Sequence, residues 1–188
     1  TIEWKGVPDQ TEFPGWGMPV GWQGDDEDGW FTMSEPDGTA TWVPVNDHPS
    51  DKATWTIRLD VPKGVTAIAN GRLQGRGPKR TDQGRDRWTW VEEQPMASYL
   101  VLAAIGDYDL VSSDHGDARL VRAFPSAMGK EERSAFDPIE EILDFYGSQF
   151  GAYPNDDAGA IVVPTGLGLA LESQTRPLFG TDGVMGDS

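Results

Sequence analysis

Glu172 is the side chain in this sequence best placed to do chemistry. It ends the apolar run Gly168-Leu169-Ala170-Leu171 and begins Glu172-Ser173-Gln174-Thr175-Arg176-Pro177. A carboxylate in such a run is costly to bury unless a cation or hydrogen-bond donors meet it. The residues themselves offer one partner, a salt bridge to a nearby base such as Arg176. Histidine chemistry has little to work with. His48 and His115 are the only two in the chain, and neither belongs to a His-Glu-x-x-His pair of the kind that holds catalytic zinc. His48 precedes Pro49 in a turn and His115 lies in an Asp-Gly loop, so both are expected to be exposed. The absence of cysteine excludes disulfides, Cys-ligated zinc and thiol catalysis.

Two charged stretches invite ligands. Gly24-Asp25-Asp26-Glu27-Asp28-Gly29 is acidic, but a calcium loop of the EF-hand kind needs an acid where Gly24 stands, and no helical pattern flanks it. A solvated acidic turn is expected. Arg72, Arg76, Lys79, Arg80, Arg85 and Arg87 form the one basic cluster, set among glycines. It suits either an anion or a solvated hairpin loop, and it lacks the third glycine and following helix of a dinucleotide fingerprint. The net charge of −16 would repel a phosphate backbone, so nucleic acid is not an expected partner. No apolar stretch is long enough for a transmembrane helix.

The elements that must position these residues follow from periodicity. With 23 Gly and 14 Pro the chain is rich in turn formers, which suits a β architecture. Residues 1–30 show little periodicity and are expected to form long loops. Trp4, Trp16, Trp22 and Trp30 fall there, either filling a core beneath the loops or offering rings to a sugar. Trp55, Ile57, Leu59 and Val61 alternate with Thr56, Arg58 and Asp60, the pattern of a half-buried strand. Val65–Ala69 and Leu73 flank Asn70-Gly71, a two-residue hairpin signal. Arg87–Glu92 alternates with Trp88 and Trp90 on one face, and Ser98–Ile105 is apolar enough for a strand buried on both faces. Tyr108–Val111 and Arg119–Phe124 extend the β run. After a linker at Pro125–Gly129, Phe136, Ile139, Ile142, Leu143, Tyr146 and Phe150 recur at helical spacing. Asp137 is the expected N-cap and Pro138 the first helical residue. The layout is thus a β domain over residues 1–125, then residues 126–188 with a helix near 138–150 and strands near 158–163 and 168–172.

Three segments in order resemble the M1 family of zinc aminopeptidases. Trp42-Val43-Pro44-Val45-Asn46-Asp47-His48-Pro49 is similar to that family's aromatic-Pro-x-x-Asp-x-Pro segment. Pro95-Met96-Ala97-Ser98-Tyr99-Leu100 with Ala104-Ile105-Gly106-Asp107-Tyr108 looks like a strand near the end of its saddle-shaped β domain. Leu143-Asp144-Phe145-Tyr146, Phe150-Gly151, Tyr153-Pro154 and Ala170-Leu171-Glu172 match the start of its catalytic domain. Ala170-Leu171-Glu172-Ser173 is similar to the last four positions of the family's Gly-x-Met-Glu-Asn motif, with Leu for Met, Ser for Asn, and Leu169 where the first Gly would be. Glu172-Ser173-Gln174-Thr175-Arg176-Pro177 fits the form found in a bacterial subgroup.

The resemblance implies a mainly β fold: a saddle-like, multi-stranded antiparallel β-sandwich lacking its first strands, followed by a partial α+β, thermolysin-like segment. It implies that Glu172 anchors the free α-amine of a peptide substrate. The backbone of Gly168, Leu169 and Ala170 would then receive the peptide as an added edge strand. Met33 stands where some members place a glutamine near the substrate N-terminus. Zinc is implied for the parent enzyme and not for this chain, which stops before the zinc motif. The chain alone is therefore expected to be inactive and to have the remainder of the catalytic domain as its partner. A secreted or cell-envelope location is implied as well. The alternative is a non-catalytic β-rich module that binds carbohydrate or protein, or serves as a scaffold.

Overall fold

The computed structural model describes residues 1–8, 10–12 and 19–183 of the chain, and Trp16 lies outside them. The chain divides into two compact units at Gly106/Asp107.

The first unit holds two antiparallel sheets. One has the order β1-β2-β3-β9-β5, from β1 (Gln10–Glu12), β2 (Pro19–Asp25), β3 (Gly29–Met33), β5 (Thr66–Ala69) and β9 (Ala103–Gly106). The other has the order β4-β8-β6, from β4 (Ala53–Val61), β6 (Arg72–Leu73) and β8 (Asp86–Met96), with β7 (Lys79–Arg80) also paired to β8. The alternation in the sequence is what builds the second sheet. Trp55, Ile57 and Leu59 are half-buried while Thr56, Arg58 and Asp60 are exposed. Across the ladder, Trp88 and Trp90 point inward, and their indole nitrogens donate to the carbonyls of Val65 at 3.1 Å and Ala67 at 2.9 Å. Pairing the polar end of each ring with backbone of β5 or the residue just before it removes the cost of burying an indole N–H.

Three sequence expectations fail here for physical reasons. Residues 1–30 are not all loop: β2 and β3 pair as a hairpin, and the acidic stretch is its turn. The Asp25 carboxylate accepts the backbone N–H groups of Glu27 at 2.9 Å and Asp28 at 2.7 Å, satisfying its own turn. Ser98–Ile105 is not one strand. A 3-10 turn at Ser98–Leu100 precedes β9, because a short apolar run reads alike for a buried strand and a buried turn. Asn70-Gly71 makes no hairpin, since β5 pairs with β9 and β6 with β8. The dipeptide instead carries the chain from one sheet to the other. Asn70, fully buried, donates to the Leu100 carbonyl at 3.0 Å and accepts the Leu102 N–H at 2.7 Å. Gly71 has φ +76°, and a Cβ there would meet the Val91 carbonyl oxygen at 2.1 Å. Replacing Asn70 with Ala leaves a buried N–H and C=O without these partners, so denaturant unfolding should show a loss of about 1–3 kcal/mol.

Trp22 and Trp42 pack with ring centroids 5.6 Å apart, in a cluster with Met96 and Val101. Trp22 thus joins the core, and the Trp30 indole donates to Asp26 at 3.2 Å, while Trp4 is exposed.

The second unit is a five-stranded mixed sheet with helices. Its strands are β10 (Tyr108–His115), β11 (Ala118–Pro125), β12 (Asp157–Val163), β13 (Ala170–Leu171) and β14 (Leu178–Gly180), in the order β10-β11-β12-β14-β13. The β11–β12 and β12–β14 pairs are parallel, and the outer two are antiparallel. Because β10 and β11 extend this sheet, the division between units falls near residue 106, where the sequence pattern suggested 125. Helices α1 (Lys130–Arg133) and α2 (Ile139–Phe150) form the crossover from β11 to β12. Asp137 does not cap α2. Pro138 occupies that position, and the Asp137 carboxylate faces Arg122 at 3.5 Å.

The apolar positions of α2 do not share one buried face. Ile139 and Leu143 pack on Ala118, Leu120 and Ala158. Ile142, Phe145, Tyr146 and Phe150 are exposed, Phe150 at 82%. His115 is not a free loop residue either. It ends β10, and its Nε2 lies 2.8 Å from the Asp144 carboxylate of α2.

Candidate functional site

Glu172 directly follows β13, the outermost strand of its sheet. Ala170 and Leu171 pair with Phe179 and Leu178 of β14, and among the described residues no strand covers the other edge. Leu171 and Leu178 are buried and pin the strand to the sheet, while Ala170 and Glu172 are exposed. Among the described residues no hydrogen bond or ion pair engages the Glu172 carboxylate. The salt bridge with Arg176 suggested by the sequence is not formed; Arg176 is fully buried and engaged by other neighbours.

The segment after Glu172 is held in an unusual shape. The Ser173 N–H donates to the Leu171 carbonyl at 2.9 Å. Thr175, 5% exposed, has φ +67°. A β-branched residue in the left-handed region costs of order 1–3 kcal/mol, and such strain is held only where the surroundings enforce it. Here the buried Ser173, Arg176 and Leu178 fix both sides of the bend.

The segment before Glu172 is held by a residue that the sequence reading missed. The Asp182 carboxylate accepts the backbone N–H of Leu167 at 2.9 Å and of Gly168 at 2.8 Å. The Thr181 N–H donates to the Thr165 carbonyl at 3.0 Å. A Cβ on Gly180 would fall 2.5 Å from the Leu167 nitrogen and 2.6 Å from Asp182 Oδ1, so a side chain there would push the loop off its clamp. Nothing local announces this contact, which spans fourteen residues from Gly168 to Asp182. The only sequence signal is the Gly180-Thr181-Asp182-Gly183 turn.

The Leu167 N–H first, then that of Gly168, hold the Asp182 carboxyl below its ordinary value of 3.8. The sign follows directly. The clamp is complete above that ordinary value and is lost as pH falls through the lower folded-state value. Replacing Asp182 with Ala should speed hydrogen exchange at the Leu167 and Gly168 amides by about tenfold or more, while amides in β12 keep their protection. Acidification of the wild type should reproduce the effect at the same two amides.

The structure thus brings Gly168, Leu169, Ala170 and Glu172 together on one exposed loop and edge. Met33 lies in the other unit, at the end of β3 opposite Gly21, and is 5% exposed. No three His, Asp or Glu side chains converge as metal ligands among the described residues. His48 is hydrogen-bonded to Ser50 and His115 to Asp144.

Comparison with known proteins bears on both units. The peptidase M1 N-terminal domain model matches residues 21–100. Aminopeptidase N of Acetobacter pasteurianus is 27% identical over 119 residues, covering 63% of this chain and 33% of that protein. Aminopeptidase B of Mus musculus is 31% identical over 126 residues, covering 65% of this chain and 18% of its own length. Among solved structures, an M1 zinc metallopeptidase of Deinococcus radiodurans bound to a Tyr-Ser-Ala substrate superposes with TM-score 0.81 at 25% identity. That match covers 95% of this chain and 41% of the neighbour. A two-domain M1 zinc metallopeptidase bound to L-tryptophan gives TM-score 0.83, also at 25% identity, covering 94% of this chain and 41% of its own. The chain therefore spans about a third of the first of these relatives and two fifths of the solved structures.

Proposed function

We propose, for a chain whose residues 21–100 belong to the peptidase M1 N-terminal domain family, that residues 166–183 are the amine-binding side of an aminopeptidase site. One observation carries the reading. Among the described residues, the exposed carboxylate of Glu172 has no partner and stands at the end of an edge strand that no other strand covers, and the loop leading to it is clamped by Asp182.

A peptide laid antiparallel or parallel along β13 gains main-chain hydrogen bonds from the open edge. Its ammonium group then meets the Glu172 carboxylate in a charge-assisted hydrogen bond. Because the carboxylate marks the end of the strand, it also fixes which peptide bond lies beyond it. Clamping the loop in advance lowers the entropy lost on binding. Backbone from Gly168 to Ala170 supplies the edge; Met33 stands where some members of the family that the chain resembles place a glutamine near the substrate N-terminus.

The parent protein is a zinc aminopeptidase in this proposal, and the metal belongs to residues other than those described. The described residues do not form its site. The rest of the catalytic domain is the partner, and the exposed Ile142, Phe145, Tyr146 and Phe150 of α2 give it an apolar face to cover. A secreted or cell-envelope setting is proposed with it. No described helix is long and apolar enough to cross a membrane.

Hydrolysis assays on the full-length protein test the reading. A tripeptide with a free N-terminus should be cleaved in a zinc-dependent manner, and its N-acetyl derivative should not. Equal cleavage of both would overturn it. The 188-residue chain alone should turn over neither, and zinc-dependent turnover by that chain would contradict the assignment of the metal to other residues.

A further inference from the structure

Charge is distributed very unevenly along this acidic chain. Eight of its 15 Lys and Arg residues fall between Arg58 and Arg87, with three acids in the same span, against a net charge of −16 overall. The register of the β4-β8-β6 sheet gathers part of this charge on one face. Arg58 lies opposite Thr89, Asp60 opposite Arg87, and Lys79 opposite Arg87 on the other side. Gln74 donates its backbone N–H to Thr89 at 2.8 Å and continues the same row. The inward face carries Trp88 and Trp90, so the period of two sends these polar side chains outward together.

That outward face is concave. Thr56, Arg58, Gln74, Lys79, Arg87 and Thr89 line a groove of about 420 Å³. Arg87 is held by Asp60 through two hydrogen bonds of 2.6 Å. Arg58 and Lys79 engage no described partner and are exposed. Like charges directly opposite in a ladder destabilise a sheet, and Lys79 beside Arg87 is such a pair. Among the described residues no carboxylate lines the groove itself; Asp60 stands beside it on Arg87, and Glu93 of β8 is exposed on the same face beyond Val91. The hydroxyls of Thr56 and Thr89 and the Gln74 amide add neutral donors beside the cations.

We propose that this groove binds a small oligoanion, a ligand carrying two or more neighbouring phosphate or carboxylate groups. The donor set carries the choice. Arg58 brings a planar fork of N–H groups and Lys79 a three-donor point charge, and with the amide and hydroxyls they exceed what one carboxylate can accept. Their spread over three strands, about 10 Å at the usual interstrand spacing, calls for a ligand with separated anionic groups. This site is independent of the edge strand at Glu172, and it stands or falls without the aminopeptidase reading.

Isothermal titration of the 188-residue chain with tripolyphosphate, and separately with citrate, tests the proposal. One-to-one binding is expected, weakening as salt is raised. The double variant Arg58→Ala/Lys79→Ala should bind at least about tenfold more weakly, the scale of one charge-assisted hydrogen bond. Asp60→Asn should bind more tightly than wild type, because it releases Arg87 to the groove; a gain of this kind cannot come from misfolding. Tighter binding of tripolyphosphate supports the site and assigns it to phosphates, and tighter binding of citrate supports it and assigns it to carboxylates. Absence of binding by both anions, or equal affinity in wild type and the double variant, would overturn it.

Discussion

Glu172→Gln in the full-length protein is expected to lower kcat/KM for free-amine substrates by about 10- to 100-fold, with no measurable change in thermal stability. The scale is that of a hydrogen bond to a charged group, about 1.5–3 kcal/mol. The two parts of the expectation come from one observation. A carboxylate without a described protein partner contributes little to folding, so its removal is felt only when a ligand is present. A buried salt bridge predicts the reverse, since breaking one destabilises the fold by several kcal/mol. Steady-state kinetics and a thermal melt on the same preparation separate the two. A large fall in melting temperature would show that the Glu172 side chain is structural.

Trp90→Ala should be the most damaging single core substitution in the first unit, costing about 3–5 kcal/mol in denaturant unfolding of the chain. Trp90 is fully buried in β8, and its ring nitrogen donates to the Ala67 carbonyl on the other sheet. The substitution leaves a cavity and an unpaired carbonyl together. Trp90→Phe, which keeps most of the ring volume and removes the donor, should recover much of the loss. If the two variants lost equal stability, the hydrogen bond rather than the packing would dominate.

Sequence and structure agree where a pattern reports burial directly. The alternation around Trp55 and Trp88 gives strands β4 and β8 with the faces expected, because one side of their sheet is buried and the other is wet. The helical spacing of Ile139 to Phe150 gives the extent of α2. It does not give its orientation: the spacing marks an apolar surface wider than the sheet covers, and Ile142 and Phe150 remain outside. Local signals misled where tertiary demands took over. Asn70-Gly71 has hairpin chemistry, yet a buried Asn side chain can also satisfy backbone groups from a distant turn, and it does so at Leu100 and Leu102. β14 escaped notice because three residues, Leu178-Phe179-Gly180, are too few to show a period. At the candidate site, Glu172 stands out as an acid in an apolar run, and the role proposed for it rests on the resemblance of the surrounding motif. Asp182 was illegible because its partners are backbone N–H groups, which leave no trace in residue type.

Glu172 is the proposed anchor for a peptide's amino end. Calorimetric binding of L-tryptophan amide and N-acetyl-L-tryptophan amide to the full-length protein tests this most directly, in wild type and Glu172→Gln. Wild type should prefer the free amine by at least about tenfold, the scale of one hydrogen bond to a charged group, and the variant should lose that preference while binding the acetylated compound as before. A variant that keeps the full preference for the free amine would contradict the account.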